Sequence, residues 1–99
     1  MMKIKKLIKN FPEVTVKGSK EQEITGICSN SKILAPGNLF VAKKGLKTDG
    51  SRYIPDAIAA GAVALLTDIY DPTYKQLTQL ICPDVGLMEA CLSEAFYEY

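Results

Sequence analysis

The stretch from residue 38 to residue 67, NLFVAKKGLKTDGSRYIPDAIAAGAVALLT, constrains the fold more than any other part of the chain. It opens on an unbroken apolar run, Leu39, Phe40, Val41 and Ala42, of the kind that a sheet buries on both faces. A polar loop with Gly45 and Gly50 follows. The next segment, SRYIPDAIAAG, carries its own helix boundaries. Ser51 is expected to cap it, Pro55 suits an early helical position, Ala57, Ile58 and Ala60 supply helix former and buried face, and Gly61 suits the position just past the end. AVALLT, residues 62–67, is then a second buried strand. Strand, loop, a helix of about three turns and strand make a βαβ unit, with parallel strands and a right-handed crossover.

The remaining segments attach to that unit. Ile4, Leu7, Ile8 and Phe11 recur at helical spacing, so the spacing predicts a first helix over residues 2–9 with lysines on its outer face. VTV at 14–16 alternates and reads as a short edge strand, and ITGIC at 24–28 as the first full strand. QLTQLIC, 76–82, is expected as the last strand before Pro83. GLMEACLSEAFYEY closes the chain as a helix, with Leu87, Cys91 and Ala95 in one row and Met88, Leu92 and Phe96 in the next. No repeat or linker interrupts the 99 residues, which predicts one domain over 1–99. The expected fold class is α/β, a small mixed, partly parallel sheet flanked by helices.

Composition narrows the function classes. A net charge of +1 with 23% charged residues gives no basic field for phosphate neutralisation, which speaks against nucleic acid as a partner. It speaks equally against an acidic membrane surface, and no apolar run approaches membrane-spanning length. MMKIKKLIKNF is basic but leads into no apolar core, so it does not read as a secretory signal. Cys28, Cys82 and Cys91 are irregularly spaced and there is no histidine. That pattern offers no zinc site, and reads as reduced, cytosolic, structural thiols rather than reactive or bridged ones.

The catalytic inventory is thin. Neither VKGSKEQE nor KKGLKTDG meets the spacing of a phosphate loop. Without histidine there is no Ser-His or Cys-His pair, and the carboxylates show no two-acid spacing. No catalytic or metal site is therefore expected in this chain. Two polar loops at strand ends remain, CSNSK at 28–32 and KKGLKTDG at 43–50. Side by side they would offer hydroxyls (Ser29, Ser31, Thr48), an amide (Asn30), ammoniums (Lys32, Lys43, Lys44, Lys47) and glycine-exposed N–H groups. That set suits a polar, anionic small molecule such as a nucleotide, although solvated turns have the same composition.

The run ITGICSNSKILAPGNLFVAKKGLKTDGSRYIPDAIAAGAVALLTD, residues 24–68, resembles the N-terminal domain of the Mur ligases. The resemblance rests on the ITG strand, a serine in the next turn, PG-x-LFVA-x-x-G, then DG, the aromatic-Ile pair at Tyr53-Ile54, AI-x-x-GA and a buried strand. It implies one domain of a three-domain, ATP-dependent amide ligase of peptidoglycan synthesis, with Tyr99 near the start of a central domain. Within the family it is greatest to the ligases that add the third stem-peptide residue, diaminopimelate or lysine. Those that add D-alanyl-D-alanine are the nearest alternative. The implied partners are UDP-N-acetylmuramoyl-L-alanyl-D-glutamate and the central and C-terminal domains, which would bring ATP and Mg²⁺ and the amino acid. The implied location is the cytoplasm.

The same resemblance implies that Ser31 holds the UDP part, with Ser29, Asn30, Lys47 and Thr48 as further contacts. The family turn usually reads Asp-Ser-Arg, whereas here it reads Asn30-Ser31-Lys32, so only the serine matches. Lysine lacks arginine's planar fork, and this departure leaves open a second class of function, an interaction module that kept the fold and lost the nucleotide.

Overall fold

The structure is a computed structural model that describes residues 1–43 and 49–98. In chain order the elements are β1 (Met2–Lys3), α1 (Ile4–Leu7), β2 (Thr15–Lys17), β3 (Glu23–Ile24), β4 (Ile27–Cys28), β5 (Leu39–Val41), α2 (Ile54–Ala59), β6 (Ala64–Thr67), β7 (Thr78–Ile81) and α3 (Val85–Tyr97). Single 3₁₀ turns at Gly50–Tyr53 and Pro72–Tyr74 precede α2 and β7. The main sheet runs β2-β7-β6-β5-β4. Its last four strands are parallel, and β2 pairs antiparallel to β7 at one edge. The expected mixed, partly parallel sheet is present, with the βαβ unit formed by β5, α2 and β6.

Side-chain alternation divides the sheet between two apolar layers. Leu39, Val41, Ala64, Leu66 and Leu80 point to a layer built with Ile4 and Leu7 of α1, Ile24 of β3, and Val85, Met88 and Leu92 of α3. Phe40, Ala42 and Leu65 point to the other layer, with Ile54 and Ala57 of α2. Leu39, Ala64, Leu65, Leu66 and Leu80 expose no surface at all. The buried apolar runs of the sequence are thus the central strands.

Several boundaries differ from the sequence reading, each for a local reason. The first helix is confined to Ile4–Leu7 because Met2 and Lys3 pair antiparallel with Ile24 and Glu23. The same pairing splits ITGIC in two. Glu23–Ile24 joins β1, the chain bends at Thr25-Gly26, and only Ile27–Cys28 enters the main sheet. The edge strand lies one residue later than VTV, and QLTQLIC shortens because Leu77 N–H is drawn back to the Tyr74 carbonyl at 3.0 Å. The 51–61 helix begins as a 3₁₀ turn and becomes α-helical at Ile54. Its cap is Asp49 rather than Ser51: Asp49 Oδ1 accepts from both the N–H (3.0 Å) and the hydroxyl (2.8 Å) of Ser51. Gly61 ends it at φ +108°, and a Cβ there would lie 2.7 Å from Pro36 Cα. In α3, Leu87 is 62% exposed and leaves the packed face, which Val85, Met88 and Leu92 form.

Candidate functional site

Parallel strands deliver their following loops to one rim of the sheet, where α/β proteins bind ligands. The turn after β4 lies there, and a cleft of about 390 Å³ is lined by Ser29, Asn30, Ser31, Lys32 and Tyr53. Tyr53 closes the 3₁₀ turn that leads out of the second polar loop, so the end of that loop meets the first turn. Lys47 and Thr48, expected as ligand contacts, lie outside the described residues, as do Lys44, Gly45 and Leu46.

The turn divides its polar groups between folding and the cleft. Asn30 Oδ1 accepts from Lys32 N–H at 3.0 Å, and the Asn30 carbonyl accepts from Ile33 N–H and from the Cys28 thiol, both at 3.2 Å. This is an Asx turn, and it needs the carbonyl shape of the side chain and not a negative charge. Asparagine therefore serves the turn as aspartate would. Ser31 is half-buried, and its hydroxyl has no hydrogen-bond partner among the described residues. Ser29 and Lys32 are exposed beside it. Lys43, the other ammonium of the described loop, is turned away: its Nζ is 2.7 Å from Glu89 Oε1 on α3.

Tyr53, 38% exposed, is the cleft residue that sequence reasoning missed. The aromatic-Ile pair was the available signal, but it reads equally as the start of a helix. Its ring gives the cleft a flat apolar wall, the complement of a planar heterocycle.

Three sets of contacts brace the sheet, the first of them at the rim opposite the cleft, where β4 and β5 begin. Asn38, buried, accepts from Ala35 N–H and donates to Thr25 Oγ1 (both 3.0 Å), and Thr25 Oγ1 donates to the Pro36 carbonyl at 2.9 Å. This network fixes the Pro36-Gly37 turn against the bend between β3 and β4. Gln79, fully buried, accepts from Asp71 N–H and donates to the carbonyls of Asp71 and Tyr74, which pins the β6–β7 loop. At the β4 edge, Tyr97 Oη accepts from Ile27 N–H at 2.9 Å and donates to the Ile27 carbonyl at 3.3 Å. All three cysteines are unpaired. Cys82 is buried, and burial, reinforced by the negative charges of Asp84, Asp68 and Glu13, pushes its thiol pKa up.

The sequence pattern of the "Mur ligase family, catalytic domain" matches residues 23–97, which takes in β3, the candidate turn, the βαβ unit and α3. The chain belongs to the Mur ligase family. It is 42% identical over 97 residues to the UDP-N-acetylmuramoyl-L-alanyl-D-glutamate–2,6-diaminopimelate ligase of Bacteroides thetaiotaomicron, covering 97% of this chain and 20% of that protein. The ligase of the same name from Syntrophomonas wolfei is 38% identical over 96 residues, again 97% of this chain and 20% of the relative. This Mur ligase chain thus spans about a fifth of the length of those relatives. In fold it matches MurF from Acinetobacter baumannii, with a TM-score of 0.78 at 20% identity over 97% of this chain and 21% of the other. MurF from Thermotoga maritima, solved in complex with ADP, gives a TM-score of 0.57 at 25% identity over 72% of this chain and 16% of that one.

Proposed function

We propose that this Mur ligase domain holds the UDP part of UDP-N-acetylmuramoyl-L-alanyl-D-glutamate for an ATP-dependent ligase that adds the third residue of the peptidoglycan stem peptide. The observation that carries the reading is the cleft at residues 29–32 and 53, whose one half-buried hydroxyl, Ser31, has no partner among the described residues. The names of the curated relatives support the choice of substrate and of a diaminopimelate-type addition over the D-alanyl-D-alanine-adding alternative. In this reading Ser31 hydrogen-bonds the uridine diphosphate, the Lys32 ammonium meets its negative charge, and Tyr53 offers its ring to the uracil. Ser29, Asn30 Nδ2, Lys47 and Thr48 are the further candidate contacts. The domain binds and orients, and bond formation belongs to the rest of the enzyme.

ATP and Mg²⁺ are assigned, in the same proposal, to a central domain, and the incoming amino acid to a C-terminal one. Among the described residues no group of His, Cys, Asp or Glu side chains is placed to hold a metal ion. No step at this domain is therefore routed through Mg²⁺. No helix among the described residues is long and apolar enough to cross a membrane. A cytoplasmic location, where nucleotide-activated precursors and ATP are found together, follows from the proposed substrate.

Amide-resolved NMR titration with UDP tests the reading. Shifts should concentrate at residues 29–32 and 53. A dissociation constant of roughly 0.1–10 mM is expected, because one wall of an interdomain cleft buries little ligand surface. Saturation with UDP that leaves residues 29–32 and 53 unshifted would overturn it.

A further inference from the structure

Strand β4 is the free edge of the parallel sheet, and it leads directly into the candidate site. Its pairing with β5 uses the Gly26 carbonyl, which accepts from Leu39 N–H at 2.9 Å, so the N–H and C=O of Ile27 face outward. An edge strand normally leaves such groups to water or to another chain. Here the Tyr97 hydroxyl takes both, accepting from Ile27 N–H at 2.9 Å and donating to its carbonyl at 3.3 Å. One side-chain oxygen stands where a neighbouring strand would.

The arrangement is built from both sides. Tyr97 lies on the last turn of α3 and is 60% exposed, so its hydroxyl is not placed by burial. Its ring is steadied edge-on by Phe96, with centroids 4.8 Å apart at 76°. On the strand side, a Cβ at Gly26 would lie 3.0 Å from Tyr97 Oη and 3.0 Å from Asn38 Nδ2, so glycine leaves the hydroxyl room to reach Ile27. From Ile27 the chain of contacts continues one residue on, where the Cys28 thiol donates to the Asn30 carbonyl and Asn30 Oδ1 closes the turn on Lys32.

We infer that Tyr97 is a positioning residue for the nucleotide site: through Ile27 it fixes the strand that sets the orientation of the 29–32 turn, and it couples the end of α3 to ligand binding. This rests on the reading of that turn as the UDP site. Tyr97 touches no ligand in this scheme, and its effect passes entirely through the backbone of β4.

The test compares the unsubstituted domain with Tyr97→Phe, which keeps the ring and removes the hydroxyl. Val16→Ala removes apolar packing on β2, the opposite edge of the sheet from β4, and serves as the control. Tyr97→Phe should raise the UDP dissociation constant about threefold to tenfold, the effect of one lost hydrogen bond transmitted to the turn. It should also speed hydrogen exchange at the Ile27 amide and move the amide resonances of residues 29–32 before any ligand is added. Val16→Ala should lower thermal stability and leave UDP affinity and the 29–32 resonances unchanged. Unaltered UDP affinity and unaltered free-state resonances at 29–32 in Tyr97→Phe would overturn the inference, as would equal effects from Val16→Ala. If the unsubstituted domain shows no UDP-dependent shifts at 29–32, the proposed function fails on its own. The positioning role is then still decided by the free-state resonances. Should Tyr97→Phe not fold, exchange in the unsubstituted protein decides: an Ile27 amide as protected as that of Phe40 supports the inference, and one that exchanges freely overturns it.

Discussion

Asn30 uses its side-chain carbonyl to close the 29–32 turn on Lys32 N–H, whereas the neighbouring Ser31 hydroxyl has no partner among the described residues. The two positions should therefore respond oppositely to truncation. Ser31→Ala is expected to weaken UDP binding by about 0.5–1.5 kcal/mol, or up to about 3 if the hydroxyl meets a charged phosphate. Its thermal midpoint should barely move, since it breaks no cap and opens no cavity. Calorimetric titration and a melting curve on one preparation separate these effects. At the neighbouring loop, Asp49 carries the cap that the sequence reading gave to Ser51. Asp49→Ala should cost about 1 kcal/mol in urea unfolding, and more than Ser51→Ala, which leaves the Asp49 bond to the residue 51 backbone N–H intact. Cys82 gives a pH test. Its folded pKa is raised, so the native state keeps the thiol protonated while the unfolded chain ionises first. That stability is fully present below about pH 8.5 and is lost as pH rises towards the folded pKa. Cys82→Ala should flatten the alkaline fall in stability, measured as unfolding free energy between neutral pH and about pH 10.

Elements were legible in the sequence to the degree that their determinants are local. The β5–α2–β6 unit is written in contiguous apolar runs and in the punctuation of Pro55 and Gly61, and it appears where expected. The break in ITGIC was not legible, because it depends on Met2 and Lys3 pairing with Glu23 and Ile24 from twenty residues away. Leu87 was misplaced for a similar reason. Helical spacing identifies rows of side chains, but which row faces the sheet is set by tertiary packing, which here buries Val85, Met88 and Leu92. At the site, residue chemistry alone pointed to two polar loops, and the family resemblance was needed to single out Ser31. Tyr53 escaped both because its role in the cleft comes from where a 3₁₀ turn places it. Gln79 was equally invisible, a polar residue within an apolar strand. Gln79→Leu would leave the half-buried Asp71 N–H without its partner, while the Asp71 and Tyr74 carbonyls would keep only the N–H groups of Tyr74 and Leu77. It should cost about 1–3 kcal/mol in urea unfolding, with amide exchange accelerated first in the β6–β7 loop.

At the scale of the molecule, the proposed reading gives this domain one wall of a binding site and assigns bond formation to the rest of the enzyme. The isolated chain is expected neither to release ADP from ATP nor to form amide bonds. ADP release by purified chain that scales with its concentration and falls with Ser31→Ala would contradict this. Gly50 donates to the Lys43 carbonyl at 2.9 Å, and a Cβ at residue 50 would sit 2.6 Å from that oxygen. The backbone is thus cinched at residues 43 and 50. Adding two or three residues between them should cost only about a few tenths of a kcal/mol in closure entropy, while Gly50→Ala should cost more, since it forces the cinch open. Over generations or under design, chain length there should be freer to change than the glycine that closes it.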